Sequence, residues 1–141
     1  MKSKINYLHF TVFAILPTLF IFPYGKYRCT HKNFKDPLEA TLFWGLDGWS
    51  ATHFFWYMVL GYVFPETFIL STCIGIAWEL FEHYYGKNRP GWLGGYGDCQ
   101  GLESDKEEDG NWWYGKWSDI VCNTSGFIIG QYMKTGKVFI L

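Results

Sequence analysis

Four long apolar runs constrain the fold of this 141-residue chain more than any other feature of its sequence. Each run reaches or nearly reaches the ~20 mostly apolar residues that a helix needs to cross a bilayer. The runs are Leu8–Tyr24, Leu42–Phe64, Thr67–Tyr85 and Trp112–Met133. The sequence therefore predicts an all-α fold, an integral membrane bundle of about four transmembrane helices. Residues 1–141 form a single domain, with a polar loop over 86–111.

The first run resembles a signal peptide in one respect, because Lys2 and Lys4 give it a basic start. No small-residue cleavage site follows it, since the run ends in Phe22–Gly25, which contains a proline and a tyrosine. We therefore expect a retained membrane helix. A kink is expected near Pro17, because proline lacks the backbone N–H that a helix interior requires.

Composition narrows the class of protein. Aromatic residues make up 22% of the chain and apolar residues 49%, which excludes a disordered segment. The formal net charge of −1 and the lack of a basic stripe predict no nucleic-acid partner. The alternative to a membrane bundle is a compact soluble helical bundle with buried polar residues. Tryptophan and tyrosine clusters at the ends of the runs favour the membrane, where such residues form interfacial belts.

Five polar residues interrupt the apolar runs. His53 lies in the first half of the second run, Glu79 and Glu82 lie in the last half of the third, and Asp119 and Asn123 open the fourth. Helices that alternate in direction bring all five residues to the loop side of the bundle at similar depth. Ionisable residues are costly inside a bilayer and mark functional sites by default. The sequence therefore predicts a polar site near one leaflet.

The third run places Glu79, Glu82 and His83 on one helix face, because their spacing is i, i+3, i+4. Two carboxylates at this spacing repel each other unless a cation or a shared proton lies between them. This pattern indicates a metal-ligand face. The alternative is the interfacial end of a helix, where the carboxylates simply reach water.

The fourth run carries Asp119, Asn123, Gly126 and Gly130 on a narrow stripe, within about 60° of one another on a helix. Asp and Asn offer the hard oxygen ligands that calcium and magnesium prefer. The glycines leave room for a lipid headgroup or for a neighbouring helix. Plain helix packing explains the glycines but leaves Asp119 unexplained.

His53 has the pKa range that general acid–base chemistry uses. A histidine hydrogen-bonded to a neighbouring helix is the structural alternative. The carboxylates expected at the same depth favour the functional interpretation of this residue.

The order of these motifs resembles the core of the base-exchange phosphatidylserine synthases. The resemblance covers roughly Leu42–Met133, and each of its pieces is short. The matching residues are His53-Phe54, Trp78-Glu79-Leu80-Phe81-Glu82, Trp112-Trp113, Asp119, and Cys122-Asn123 with Gly126 and Gly130. The chain departs from the family pattern just before the tryptophan pair, where Glu107–Asn111 replaces the usual Pro-Asn-Phe-x-Glu-Cys.

The resemblance implies a calcium-dependent exchange in which L-serine replaces choline or ethanolamine on a phospholipid. It implies a catalytic group of His53, Glu79, Glu82 and Asp119. It also implies that Ca2+ is held by Glu79, Glu82, Asp119 and Asn123. Substrate would contact Trp112, Trp113, Asn123 and Gly126. Whether His53 acts as base or as nucleophile stays open.

The stripe on the fourth run also looks like that of the VanZ-like membrane proteins, which share this small size. That resemblance implies a non-catalytic protein that binds a lipid or an amphiphile. Both resemblances imply a multi-pass integral membrane protein. A small structural subunit of a larger assembly is a third class. The oligomeric state is also open, a homodimer included.

Overall fold

The structure is a computed structural model, and it describes residues 6–31, 35–88 and 115–140. Within these ranges the chain is mostly helical, which confirms the predicted all-α class. The elements in chain order are α1 Tyr7–Ile15, α2 Thr18–Thr30, a 3-10 helix Pro37–Glu39, β1 Thr41–Phe43, β2 Leu46–Asp47, α3 Gly48–Val63, α4 Phe68–Asn88 and α5 Trp117–Thr135.

The first predicted helix, over 8–24, is present as two helices that are separated by Leu16 and Pro17. α1 begins after Asn6, whose side chain accepts a hydrogen bond from the backbone N–H of His9. Leu16 keeps right-handed helical backbone angles, and Leu16 and Pro17 form a turn between α1 and α2. The helix is thus interrupted at Pro17, whereas a kink there stays a prediction, and α2 continues past the predicted end at Tyr24.

The sequence predicted too early a start for the second helix. Its first six residues, from Leu42, form most of an antiparallel hairpin of β1 and β2, and α3 begins only at Gly48. The hairpin turn places Trp44 at φ 49° and Gly45 at φ 77°, both in the left-handed region that a right-handed helix cannot contain. Asp47 then caps α3, because its side chain accepts the backbone N–H of Ser50.

The third helix matches its prediction closely, whereas the fourth begins later. α4 covers Phe68–Asn88, a few residues beyond the predicted end at Tyr85. α5 begins at Trp117 and ends at Thr135. The part of the fourth predicted helix at 112–114, and most of the predicted polar loop 86–111, lie outside the described residues.

Close approach of α3 and α5 forms the centre of the bundle. A Cβ atom at Gly126 would lie 2.1 Å from the carbonyl oxygen of Phe54, and one at Gly130 would lie 1.9 Å from that of Met58. Gly61 of α3 has the reciprocal relation to the carbonyl oxygen of Phe127, at 2.2 Å. Backbones this close require glycine, so these three residues fix the lateral distance between the two helices.

The outer faces of α3, α4 and α5 are rich in exposed apolar side chains. They include Tyr62 and Val63 on α3, Ile69, Leu70, Ile76 and Leu80 on α4, and Val121 and Ile129 on α5. Contiguous exposed apolar surface is unusual in soluble monomers. The polar residues instead face inwards, with Asp47, Ser50, Glu79, Asp119, Asn123 and Gln131 all buried.

Among the described residues, one helix is long and apolar enough to cross a bilayer, the combined segment Tyr7–Tyr27. α3 has 16 residues, which corresponds to about 24 Å of helix. A typical hydrocarbon core is ~30 Å thick. About four spans were predicted, and the described part of the chain contains one helix that is long and apolar enough to be a span.

Candidate functional site

Two side-chain pairs join α3 to α5 near the start of both helices. The hydroxyl of Ser50 donates to Asp119 Oδ1 at 2.5 Å. One turn further along α3, His53 Nδ1 lies 3.0 Å from Asn123 Oδ1. Ser50 and His53 are spaced i, i+3, and Asp119 and Asn123 are spaced i, i+4, so each pair of residues occupies one helix face. The glycine contacts described above bring these two faces together.

Glu79 joins this arrangement from α4. Its Oε2 accepts the backbone N–H of Lys116 at 2.9 Å, and its Oε1 lies 3.7 Å from His53 Nδ1. The side chain is 5% exposed. Among the described residues, Oε1 has no hydrogen-bond partner. A buried carboxylate oxygen without a donor is costly, so this atom indicates a ligand or a proton at the site.

The Gly115–Lys116 segment lies directly on α4 beside Glu79. A Cβ atom at Gly115 would come within 2.3 Å of the Glu79 carbonyl oxygen, so only glycine fits there. The ammonium group of Lys116 forms an ion pair with Asp47, the residue that caps α3. Lys116 therefore connects the start of α3 with the carboxylate of α4.

Asp47 stays ionised in this pair. Burial raises the pKa of its carboxyl group. The hydrogen bond and charge of Lys116, together with the backbone N–H of Ser50, outweigh that effect and hold the pKa below its ordinary value of 3.8. The negative charge at the start of α3 is thus matched by a lysine.

His53, Glu79 and Asp119 form a cluster that could hold a metal ion, hereafter the polar cluster. Each contributes one ligand atom, and these atoms all lie within 4.8 Å of one another. Glu79 and Asp119 are buried and His53 is partly buried. Two carboxylates held together away from water repel each other unless a positive charge compensates them. The donor set of two carboxylates and an imidazole, with Glu79 Oε1 unpartnered, fits a divalent cation.

An apolar cavity of about 930 Å³ includes two members of the polar cluster, His53 and Asp119, in its lining. Its walls come mainly from the N-terminal helices and from α3, with residues such as Pro17, Phe20 and Phe55. Its polar lining includes His53 and Asp119. Ligand pockets commonly measure ~300–1,000 Å³, so this one is large for the size of the chain. A mostly apolar cavity with polar groups at one end is suited to an amphiphile.

The structure places four of the five expected polar residues together. Ligand atoms of His53, Glu79 and Asp119 lie within 4.8 Å of one another, and His53 lies within hydrogen-bond distance of Asn123. Glu82 is half-buried and lines the same cavity, but it lies outside the group of close ligand atoms. His83, which the sequence places on the same face as Glu79, is exposed. Glu82 as a metal ligand and catalytic group therefore stays a prediction.

Gly126 lies in the contact between α5 and α3, against the backbone of Phe54. Helix packing, the alternative given by the sequence, accounts for this glycine, and a substrate contact at Gly126 stays a prediction. Trp112 and Trp113, expected to contact substrate, lie outside the described residues.

Sequence reasoning missed Ser50 and the role of Lys116. Ser50 is fully buried and bonded to Asp119, and a serine in an apolar run carries little signal by itself. Its spacing offered one clue, because Ser50 precedes His53 by three residues and so lies on the same helix face. Lys116 acts through its backbone N–H, which no side-chain pattern encodes.

Comparison with protein-family models, with curated proteins and with solved structures found no match to this chain. A proposal for its function therefore rests on the residues of the site. The features that carry chemistry are the polar cluster, the Ser50 and Asn123 hydrogen bonds that position it, and the apolar cavity that ends at it.

Proposed function

We propose that this protein is a membrane-embedded, calcium-dependent enzyme that exchanges phospholipid headgroups. It would make phosphatidylserine from phosphatidylcholine or phosphatidylethanolamine and free L-serine. The observation that carries the proposal is the polar cluster at the end of an apolar cavity, because a phospholipid has this distribution of charge and hydrocarbon. The resemblance to the base-exchange phosphatidylserine synthases supports the choice of reaction.

Membrane embedding is supported by the surface of the molecule. Apolar side chains cover the outer faces of α3, α4 and α5, and the Tyr7–Tyr27 segment has the length and composition of a span. We propose a multi-pass protein in which the apolar hairpin before the shorter α3 lies in the headgroup layer. Leu42 and Phe43 of that hairpin are both exposed.

Glu79 and Asp119 would hold the divalent cation, with Glu82 as a further carboxylate at the same cavity. When bound, a divalent cation offsets the negative charge that grows on the phosphate oxygens in the transition state. Ser50 orients the Asp119 carboxylate, and the Lys116 N–H orients that of Glu79, so both side chains are fixed before substrate arrives.

His53 is the proton carrier in this proposal. Donation of its Nδ1–H to Asn123 Oδ1 fixes the tautomer and leaves the Nε2 lone pair available. Nε2 takes the proton of the serine hydroxyl as that oxygen forms its bond to phosphorus. The bond from phosphorus to the choline or ethanolamine oxygen breaks, and the same proton passes to the leaving alkoxide. Direct attack of His53 on phosphorus is the alternative, and it would leave a covalent phosphatidyl-histidine.

The test uses the full chain reconstituted in vesicles of phosphatidylcholine or phosphatidylethanolamine, with labelled L-serine and Ca2+. We expect labelled phosphatidylserine, and its loss on chelation. His53→Ala and Glu79→Ala should each abolish exchange. His83→Ala is the matched control, because His83 is exposed on the same helix as Glu79. Lipid label that stays on the protein at neutral pH and is released by mild acid would select the nucleophilic role of His53, because a phosphorus–nitrogen bond is acid-labile.

Absence of product in every lipid, with and without Ca2+, would overturn the enzymatic proposal. Tight phospholipid binding without turnover would then favour the VanZ-like function. Full exchange activity in both the His53→Ala and Glu79→Ala proteins would leave the reaction standing and reject the roles assigned to these residues.

A further inference from the structure

The N-terminal helices contact the rest of the molecule at two separate places. Near one end, the ring of Phe13 stacks on Trp56 with centroids 4.8 Å apart, and Phe10 meets Phe64 edge-on at 5.4 Å. Phe10 is almost fully buried there. This aromatic contact holds α1 against α3.

The second contact lies beyond Pro17, on α2. The hydroxyl of Tyr24 donates to Asp36 Oδ1 at 2.7 Å, and its ring meets that of Trp49 with centroids 5.6 Å apart. The indole N–H of Trp49 donates to the other oxygen of Asp36 at 3.0 Å. This polar contact holds α2 to the start of α3.

The apolar cavity lies between these two contacts, beside Leu16 and Pro17. Leu16, Pro17 and Phe20 form its wall on the side of the N-terminal helices. Phe55 and Val59 form the facing wall on α3. The helices are thus fastened at both ends and separated in the middle, and the space between them has an apolar lining.

The polar end of this space is prepared for the head of an amphiphile. Asn123 lines the cavity and is 3% exposed, and its Nδ2 has no hydrogen-bond partner within the described ranges. Its Oδ1 is engaged by His53, and its Nδ2 lies close to Gly75 of α4, where a Cβ atom would come within 3.0 Å of it. His53, Asp119 and Asn123 together give the cavity polar groups beside its apolar lining.

We infer that the space between the N-terminal helices and α3 is an acyl-chain slot, which admits a membrane phospholipid sideways from the bilayer. A lipid in this slot would place its phosphate beside His53 and Asp119, which line the same cavity. That the lipid in the slot is a substrate for headgroup exchange rests on the proposed function. The occupancy of the slot by hydrocarbon rests on its lining alone.

The test uses the full chain in vesicles that contain a phosphatidylcholine with a photoreactive diazirine near the middle of one acyl chain. After illumination and proteolysis, mass spectrometry locates the lipid adducts. We expect adducts on Ile21 and Trp56, which line the cavity and are only partly exposed. Adducts confined to outward-facing residues such as Leu19 and Ile129, which do not line the cavity, would overturn the inference.

A filling variant provides the second readout. Ala14 lines the cavity, whereas Ala77 is exposed on α4 and does not. We expect Ala14→Trp to lower the Trp56 adduct about fivefold, while Ala77→Trp leaves it unchanged. If exchange is active, Ala14→Trp should also lower the rate on long-chain lipid relative to dihexanoyl lipid. Equal adduct yields in both folded variants would overturn the slot.

The failures of the two proposals are distinguishable. Slot adducts that Ala14→Trp suppresses, without serine exchange in any lipid, would keep the slot and reject the headgroup chemistry. Serine exchange with adducts only on outward-facing residues would keep the chemistry and reject the slot.

Discussion

Replacing Gly126 by alanine tests whether the approach of α3 and α5 sets the geometry of the polar cluster. The new Cβ atom would lie 2.1 Å from the Phe54 carbonyl oxygen, whereas ordinary contact begins at 3.4 Å, so the helices must separate by about 1.3 Å. Phe54 follows His53 in the chain, and Asn123 lies one turn before Gly126 on α5. The separation therefore acts directly on the 3.0 Å contact between His53 and Asn123.

The expected magnitude follows from opposing contributions. Overpacking at a close helix contact costs about 1–3 kcal/mol. Loss of the hydrogen bond between His53 and Asn123 costs about 1 kcal/mol more. Alanine recovers about 1 kcal/mol through its higher helix propensity. We expect a net loss of about 2 kcal/mol in the free energy of unfolding. A displacement near 1 Å at a catalytic pair lowers rates by about 100-fold.

The assay compares Gly126→Ala with Ser125→Ala in mixed micelles, by titration with a denaturing detergent followed by tryptophan fluorescence. Ser125 is the neighbouring residue on α5 and is exposed, so its replacement should change stability by less than about 0.5 kcal/mol. Serine exchange is measured on the same preparations. If Gly126→Ala is as stable and as active as Ser125→Ala, the glycine contact does not set the site geometry.

Three further predictions concern the residues around the site. Lys116→Met removes the ion pair with Asp47 and should lower the free energy of unfolding by about 2 kcal/mol, measured by the same titration; an unchanged midpoint would contradict this. Folding lowers the pKa of Asp47, so its carboxylate stabilises the fold fully above pH 3.8, the ordinary pKa, and this stabilisation is lost as the pH falls through the lower pKa of the folded state. In Asp47→Asn the free energy of unfolding should therefore fall less steeply in acid than in the wild type. Equally steep curves for the two proteins would refute this prediction. Ca2+ should raise the unfolding temperature of the wild type but not of Glu79→Gln, as followed by circular dichroism; equal shifts in both would remove Glu79 from the cation site.

Helical periodicity predicted the part of the site that the helices themselves determine. Asp119 and Asn123 share one face of α5, and Glu79 lies in the last half of α4, so alternating helices had to bring them near His53. The interruption of the helix at Pro17 was equally predictable, because proline lacks the backbone N–H that a helix interior requires. The convergence required no knowledge of the packing in detail.

Other features could not be predicted, because they depend on tertiary contacts or on backbone conformations that an apolar sequence conceals. The turn at Trp44 and Gly45 lies inside a continuous apolar run, so hydropathy alone extends the helix over it. The cavity depends on the path of the N-terminal helices, which the distant contacts of Phe13 and Tyr24 determine. The orientation of Glu79 depends on a backbone N–H contributed by residue 116.

The hairpin before α3 has a consequence for how this chain behaves in different surroundings. Trp44 holds a left-handed backbone conformation, which costs an L-residue about 1–2 kcal/mol, and its side chain is 96% exposed. Glycine at this position would relieve that cost in water, whereas an indole ring gains favourable interactions at the headgroup layer of a bilayer. Replacing Trp44 by glycine should therefore stabilise the turn in water but weaken its binding to the headgroup layer.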